Sequence, residues 1–278
     1  YQALFIGTVI GFVGSALLVV SVILPSPKPT APRGIYDRTT RGLRIYLVTP
    51  RLRGLLSLNL AAAAAGAMVL VNTIVLVRSD IGLGETEVAI ALGAFGGGSM
   101  LAALMLPRLL SNRPDRPVMI GGAAVLIATL LGLAIISLIY ETRWLPLLVG
   151  WFVIGICYSV VLTPSGRLLK RSAHTEDRPA VYAAQFALSH ACWLVTYPLA
   201  GWLMTFAGSA TAFGVLAVVA AVGMFGGVVL WPRGGETELE HTHANLPADH
   251  PHLRDGHPHR HAIVIDDFHP HWPRVDEK

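Results

Sequence analysis

Charge is scarce in this 278-residue chain: Asp, Glu, Lys and Arg make up 14% of it and hydrophobic residues 53%. A soluble domain carries about 25% charged residues, so the composition excludes one and indicates several membrane spans. Lysine is confined to Lys28, Lys170 and Lys278, none within an apolar run, so a retinal Schiff base has no anchor and a photosensor is excluded. The two cysteines, Cys157 and Cys192, both lie within expected spans and give no disulfide framework. No Asp or Glu occupies a span interior, so an acid-driven step would need a residue from elsewhere. The start, YQALFIG, lacks a charged n-region and a small-residue cleavage site, so it is not a signal peptide. It reads as the back part of a longer protein.

Apolar runs are what the chain does have. They predict spans at 2–24, 55–77, 87–107, 118–139, 145–165, 179–206 and 210–231, each able to satisfy its backbone as a helix. Between the first two lies a basic connector, 25–54, whose Pro-rich start suits an extended linker and whose IYLV segment suits the membrane interface. Basic residues crowd the connector's side of the membrane: Lys28, Arg33, Arg38, Arg41, Arg44, Arg51 and Arg53, then Arg108, Arg113 and Arg116, then Arg167, Lys170, Arg171 and Arg178. The other side carries Arg78 and Arg143. The positive-inside rule therefore places the connector and C-terminus in the cytoplasm and the protein in the inner (plasma) membrane. The net charge of +4 follows from these short loops and implies no nucleic-acid partner; the partner is the lipid bilayer.

Span polarity is uneven. The 118–139 and 210–231 spans are almost wholly apolar, as lipid-facing helices are. The 55–77 span offers Asn59 and Asn72, the 145–165 span Tyr158 and Ser159, and the 87–107 span the small-residue run GAFGGGS, which suits close helix packing. The 179–206 span gathers Gln185, Ser189, His190, Cys192, Trp193, Thr196 and Tyr197 on one side. His190 sits about 16 Å along it, near mid-bilayer, as the one ionisable Asp, Glu, His, Lys or Arg in a span interior. Facing a cavity it would carry a proton or ligate a cation; otherwise it is a packing residue beside Trp193. Pro198 is expected to kink this helix.

The order of polar and apolar spans resembles the C-terminal half of a major facilitator superfamily transporter. The resemblance covers residues 1–231. It implies an all-α integral membrane protein whose seven transmembrane helices are equivalent to helices six to twelve of a twelve-helix fold, with residues 1–24 as the sixth helix and 55–231 as the six-helix half. A missing N-terminal half would be the partner. The loop LPRLLSNRPDRPV is similar to the family's basic loop within a half, although its central Gly is absent. By that likeness Arg108, Arg113, Asp115 and Arg116 are candidate gating residues, forming interdomain ion pairs; simple positive-inside anchoring is the alternative. TPSGRLLKRSAHTEDRPAVYAAQF is similar to the cytoplasmic turn before the eleventh helix.

The tail, 232–278, is a different material, expected to be disordered. It holds His241, His243, His250, His252, His257, His259, His261, His269 and His271, interleaved with carboxylates. Imidazole with carboxylate suits borderline cations such as Ni²⁺, Co²⁺ or Zn²⁺, so these histidines are candidate metal ligands, though no resident cofactor is required. The short run Ala262–Ile265 is a candidate docking motif. Such a tail, with SHACWLVTYPLAGW, is similar to the nickel- and cobalt-resistance permeases, implying a proton-coupled exporter of a divalent metal working by alternating access. An exporter of small organic molecules with an incidental tail, a seven-helix receptor and a membrane-anchored metal chaperone remain alternatives. An enzyme is not expected, because no nucleophile–base pair or ligand cluster lies in the membrane. Calorimetric titration of a 236–278 peptide with Ni²⁺ and Zn²⁺ should give dissociation constants on the order of micromolar; millimolar or absent binding would remove the metal role.

Overall fold

A computed structural model describes residues 2–22, 34–111, 113–233, 239–241, 259–261, 263–265 and 271–272. The chain divides into two units, Tyr1–Pro32 and Arg33–Lys278. The first contains helix α1 (Gln2–Ser21), whose 20 residues span about 30 Å. Ser21 Oγ donates to the Leu18 carbonyl at 2.7 Å, closing its last turn.

The second unit contains α2 (Ile35–Val48), α3 (Pro50–Val75), α4 (Glu85–Leu109), α5 (Asp115–Tyr140), α6 (Trp144–Leu162), α7 (Ser165–Ser172) and α8 (Arg178–Leu230). A π-helical turn, Leu76–Asp80, prolongs α3. Among the described residues five helices are long and apolar enough to cross a bilayer, and Ile6–Ser21 is a shorter apolar helix. The longest, α8, is two spans joined at Gly208, whose φ of 79° and ψ of 172° interrupt the helix. That backbone region is essentially open to glycine alone. The protein is thus an all-α integral membrane protein. Pro198 lies within α8, but the non-helical backbone falls ten residues later, at Gly208.

The connector departs from expectation. Residues 35–48 form a helix, and IYLV is its last turn. Arg41, Gly42, Ile45, Tyr46 and Thr49 are buried while Leu43, Arg44 and Leu47 are exposed, a helical spacing that turns one face toward α8. A Cβ at Gly42 would stand 2.1 Å from the Ala180 carbonyl oxygen, so backbones meet there. Pro50 ends α2: the residue before a proline is driven to extended backbone, and Thr49 has φ −79° and ψ 114°. Its Oγ1 donates to the Ile45 carbonyl at 2.7 Å. The Pro-rich start of the connector lies outside the described residues.

Helix α3 is the central post. Some 72% of its most apolar stretch is buried, against 17% for α4. Residues 61–69 (AAAAAGAMV) are buried without exception, because small side chains let the surrounding helices come near. Its far end is pinned by polar bonds: Asn72 Nδ2 donates to the Ala200 carbonyl at 3.1 Å, and Trp151 Nε1 donates to Thr73 Oγ1 at 2.8 Å. The glycine-rich helix α4 leans on α6 through a reciprocal contact. A Cβ at Gly98 would lie 2.1 Å from the Phe152 carbonyl oxygen, and one at Gly155 would lie 2.1 Å from that of Phe95. Ser99 and Ser159 hydrogen-bond beside it at 2.6 Å.

The tail is partly built. Strands β1 (Leu239–His241) and β2 (His259–His261) pair antiparallel, with His241 opposite His259 and Leu239 opposite His261. Beyond them Ile263 and Ile265 are buried, so part of the candidate docking motif does dock. Arg51 holds this segment: one nitrogen donates to the Ile263 carbonyl at 3.4 Å, and its guanidinium carbon lies 5.6 Å from the Trp272 ring. Gly98→Ala should destabilise the detergent-solubilised protein by about 1–3 kcal/mol through overpacking. Gly97→Ala, whose Cβ meets nothing within 4 Å, should be neutral or stabilising in the same thermal melt.

Candidate functional site

The first arm of α8, residues 178–207, carries the polar and aromatic face. Phe186 and His190 are exposed, Gln185, Ser189, Cys192, Trp193 and Tyr197 are half-buried, and Thr196 is buried. Rings one helical turn apart overlap along this face. Centroids lie 4.0 Å apart for Phe186 and His190, 5.0 Å for His190 and Trp193, and 5.9 Å for the near-parallel Trp193 and Tyr197. His190 Nδ1 lies 2.7 Å from the Phe186 carbonyl oxygen. A carbonyl only accepts, so in the neutral ring Nδ1 carries the hydrogen and Nε2 keeps its lone pair.

Beside this ladder is a pocket of about 200 Å³ between α3, α6 and α8, lined by Asn59, Ala62, Tyr158, Leu162, Ser165, Gln185, Ser189 and Trp193. Its lining contains no charged side chain. Three of the polar side chains there already have partners. Ser189 Oγ donates to the Phe186 carbonyl at 3.0 Å, and Ser165 Oγ donates to the Leu162 carbonyl at 2.6 Å. Gln185 Oε1 accepts the Tyr46 hydroxyl, which reaches it from α2. Burial, aided by the nearby Cys192 thiol, pushes the Tyr46 phenol above its ordinary value, so it stays a donor. Asn59 differs: it is 3% exposed, and neither its amide nitrogen nor its oxygen has a hydrogen-bond partner among the described residues.

The structure therefore gathers Asn59, Tyr158, Gln185, Ser189 and Trp193 of the sequence-derived candidates around one space. His190, Cys192, Thr196 and Tyr197 share the helix but not the pocket lining. Asn72 is engaged with Ala200, and Ser159 with Ser99. Tyr46 and Ser165 were not anticipated; Tyr46 belongs to a segment read as interfacial, and Ser165 to a turn.

At the end bearing the basic loops, Arg108 and Arg113 are exposed while Asp115 is buried. Asp115 bonds Arg167 and lies 3.3 Å from Arg171, both in α7. Arg116 donates to the Trp231 and Val228 carbonyls at 2.6 and 3.0 Å, capping α8. Asp115 and Arg116 are thus engaged within this chain. Arg41 grips Asp177 with two hydrogen bonds, of 2.5 and 2.8 Å, both side chains nearly buried. Arg51 donates to Ser172 Oγ and the Arg171 carbonyl, each at 2.8 Å.

Of the tail candidates, His243, His250, His252, His257 and His269 lie outside the described residues, and His271 is exposed. Among the described residues, no group of three or more His, Cys, Asp or Glu side chains is placed to hold a metal ion.

Residues 55–255 match the sequence model of the Major Facilitator Superfamily. No curated protein matches the chain.

Asp177→Ala would leave the Arg41 guanidinium buried without its carboxylate. It should lower unfolding stability by about 3 kcal/mol, whereas Glu85→Ala, at an exposed 3.7 Å pair with Arg78, should leave the melt unchanged.

Proposed function

The chain belongs to the Major Facilitator Superfamily, a family of membrane transporters, and on that premise we propose that residues 55–231 form one six-helix half of a secondary active carrier. It works by alternating access, rocking against a second half that completes the cavity. The basic-loop end is cytoplasmic, consistent with the crowding of arginines there. One observation carries this reading: polar side chains from α3, α6, α7 and α8 converge on one pocket within the helical bundle. A bilayer does not retain such groups without use.

Transport is proton-coupled export, with His190 as the titrating group. Its Nδ1 is fixed by the Phe186 carbonyl and its ring is held between Phe186 and Trp193, leaving Nε2 to take up and release a proton on an exposed face. The pocket's neutral lining favours a small organic substrate. A second reading, export of a divalent metal such as nickel or cobalt, draws its support from the His-X-His series of the tail, which would capture the ion before translocation.

Inverted membrane vesicles containing the full-length carrier and energised with a proton gradient should take up substrate and stop when a protonophore is added. Ni²⁺, Co²⁺ and small neutral organic compounds are the panel. His190→Ala should cut uptake at least about tenfold with the protein level unchanged. Undiminished uptake would assign His190 to packing, and protonophore-insensitive uptake would remove proton coupling.

A further inference from the structure

The pocket's chemistry narrows the ligand, provided the carrier reading above holds. We propose that it takes a small, neutral, planar molecule bearing a hydrogen-bond donor and acceptor side by side, as a carboxamide or lactam does, and that Asn59 reads that pair.

Asn59 is the group with unmet demand. A carboxamide offers two N–H donors and an acceptor oxygen, and here both ends are unpartnered on a side chain 3% exposed that lines the pocket. Burial without a partner is unfavourable at each end, so a ligand that answers both recovers two hydrogen bonds at once. A second amide does this in one plane: its N–H meets Asn59 Oδ1 while its C=O accepts from Asn59 Nδ2. Among its neighbours, Gln185 Oε1 already accepts from Tyr46, and the Ser189 and Ser165 hydroxyls are spent on backbone carbonyls.

The walls specify a flat shape. Tyr158 is held edge-on by Phe95 at 5.6 Å, and a Cβ at Gly66 would stand 3.0 Å from its Cε2, so a larger residue there would crowd the ring. Trp193 is stacked on Tyr197. Rings held this way offer apolar faces that need not reorganise when a planar ligand enters. With about 200 Å³ and a water's share near 30 Å³, the space suits a molecule displacing a handful of waters.

The same lining disfavours ions. An anion would meet no cationic side chain, and a cation no carboxylate, so either would lose hydration without compensation. A bare divalent cation would find here amide and hydroxyl oxygens only, a poor set for nickel or cobalt.

Benzamide, benzoate and benzamidinium share a shape and differ in charge, so they isolate the claim. Titrated by calorimetry against the purified full-length carrier, with NiCl₂ as a fourth probe, benzamide should bind at least about tenfold more tightly than either ion. Asn59→Leu should erase that preference without lowering the melting temperature, since it replaces an unpaired amide with an apolar group of similar size. If Asn59→Leu does not purify, Asn59→Ala serves with the same expectation. Equal affinity for the three shapes, preference for an ion or for Ni²⁺, absence of benzamide binding, or binding indifferent to Asn59 would each overturn the proposal. Reconstituted vesicles separate the two levels. Asn59-dependent binding without uptake would sink the carrier reading and leave the site standing, whereas uptake of other compounds without benzamide binding would do the reverse.

Discussion

In a bilayer, helices gain nothing by hiding apolar surface from one another, because the lipid is equally apolar. Association then depends on how closely backbones can approach, and that constraint organises this molecule. Residues 61–69 give α3 a slender shaft that neighbours enclose on every side. Gly98 and Gly155 bring α4 and α6 together at a distance no side chain would permit. On the last arm of α8 a Cβ at Gly223 would lie 2.6 Å from the Ser57 carbonyl oxygen, so this helix too sits backbone against backbone on α3. Asn59 lies two residues past Ser57, on the post itself, and its burial follows from that enclosure.

Around the post the polar interactions divide into two kinds. Those at the basic-loop end tie elements to one another: Asp115 to α7, Arg116 to the end of α8, Arg41 to Asp177, and Arg51 to α7 and the tail. Asp115 and Asp177 are both paired there, and these ties brace this end. Those inside the bundle are fewer, and they leave the Asn59 amide and the Thr196 hydroxyl unanswered. Of these two, Asn59 lines the pocket and Thr196 does not.

Hydropathy made the spans legible, because a run of about 20 apolar residues has few ways to satisfy its backbone in lipid. Glycine placement was half legible. The GAFGGGS run advertised close packing, yet only Gly98 of its glycines meets another helix, and its partner, Gly155, lies in α6 outside any glycine run. The α2 helix was hidden by the prolines before it and by its mixed composition; its amphipathic face shows only once Ala180 and Asp177 are opposite. Asn59 and Asn72 look alike in sequence and do opposite things. One finds the Ala200 carbonyl and becomes structure, the other finds nothing and becomes a candidate site. That difference lies in which helix stands across from each, which periodicity does not encode.

The central claim is that the pocket between α3, α6 and α8 lies on the transport path, and access from both sides tests it most directly. In the full-length carrier with Cys157 and Cys192 replaced by alanine, Ser189→Cys puts a thiol in the pocket lining, and Val222→Cys puts one on an exposed apolar face. A membrane-impermeant thiol reagent applied to either side of sealed vesicles should modify the residue 189 thiol from both, at rates that substrate or a proton gradient shifts in opposite directions. The residue 222 thiol should react from neither. Reaction of the 189 thiol from one side alone, unaffected by gradient or substrate, would contradict the account.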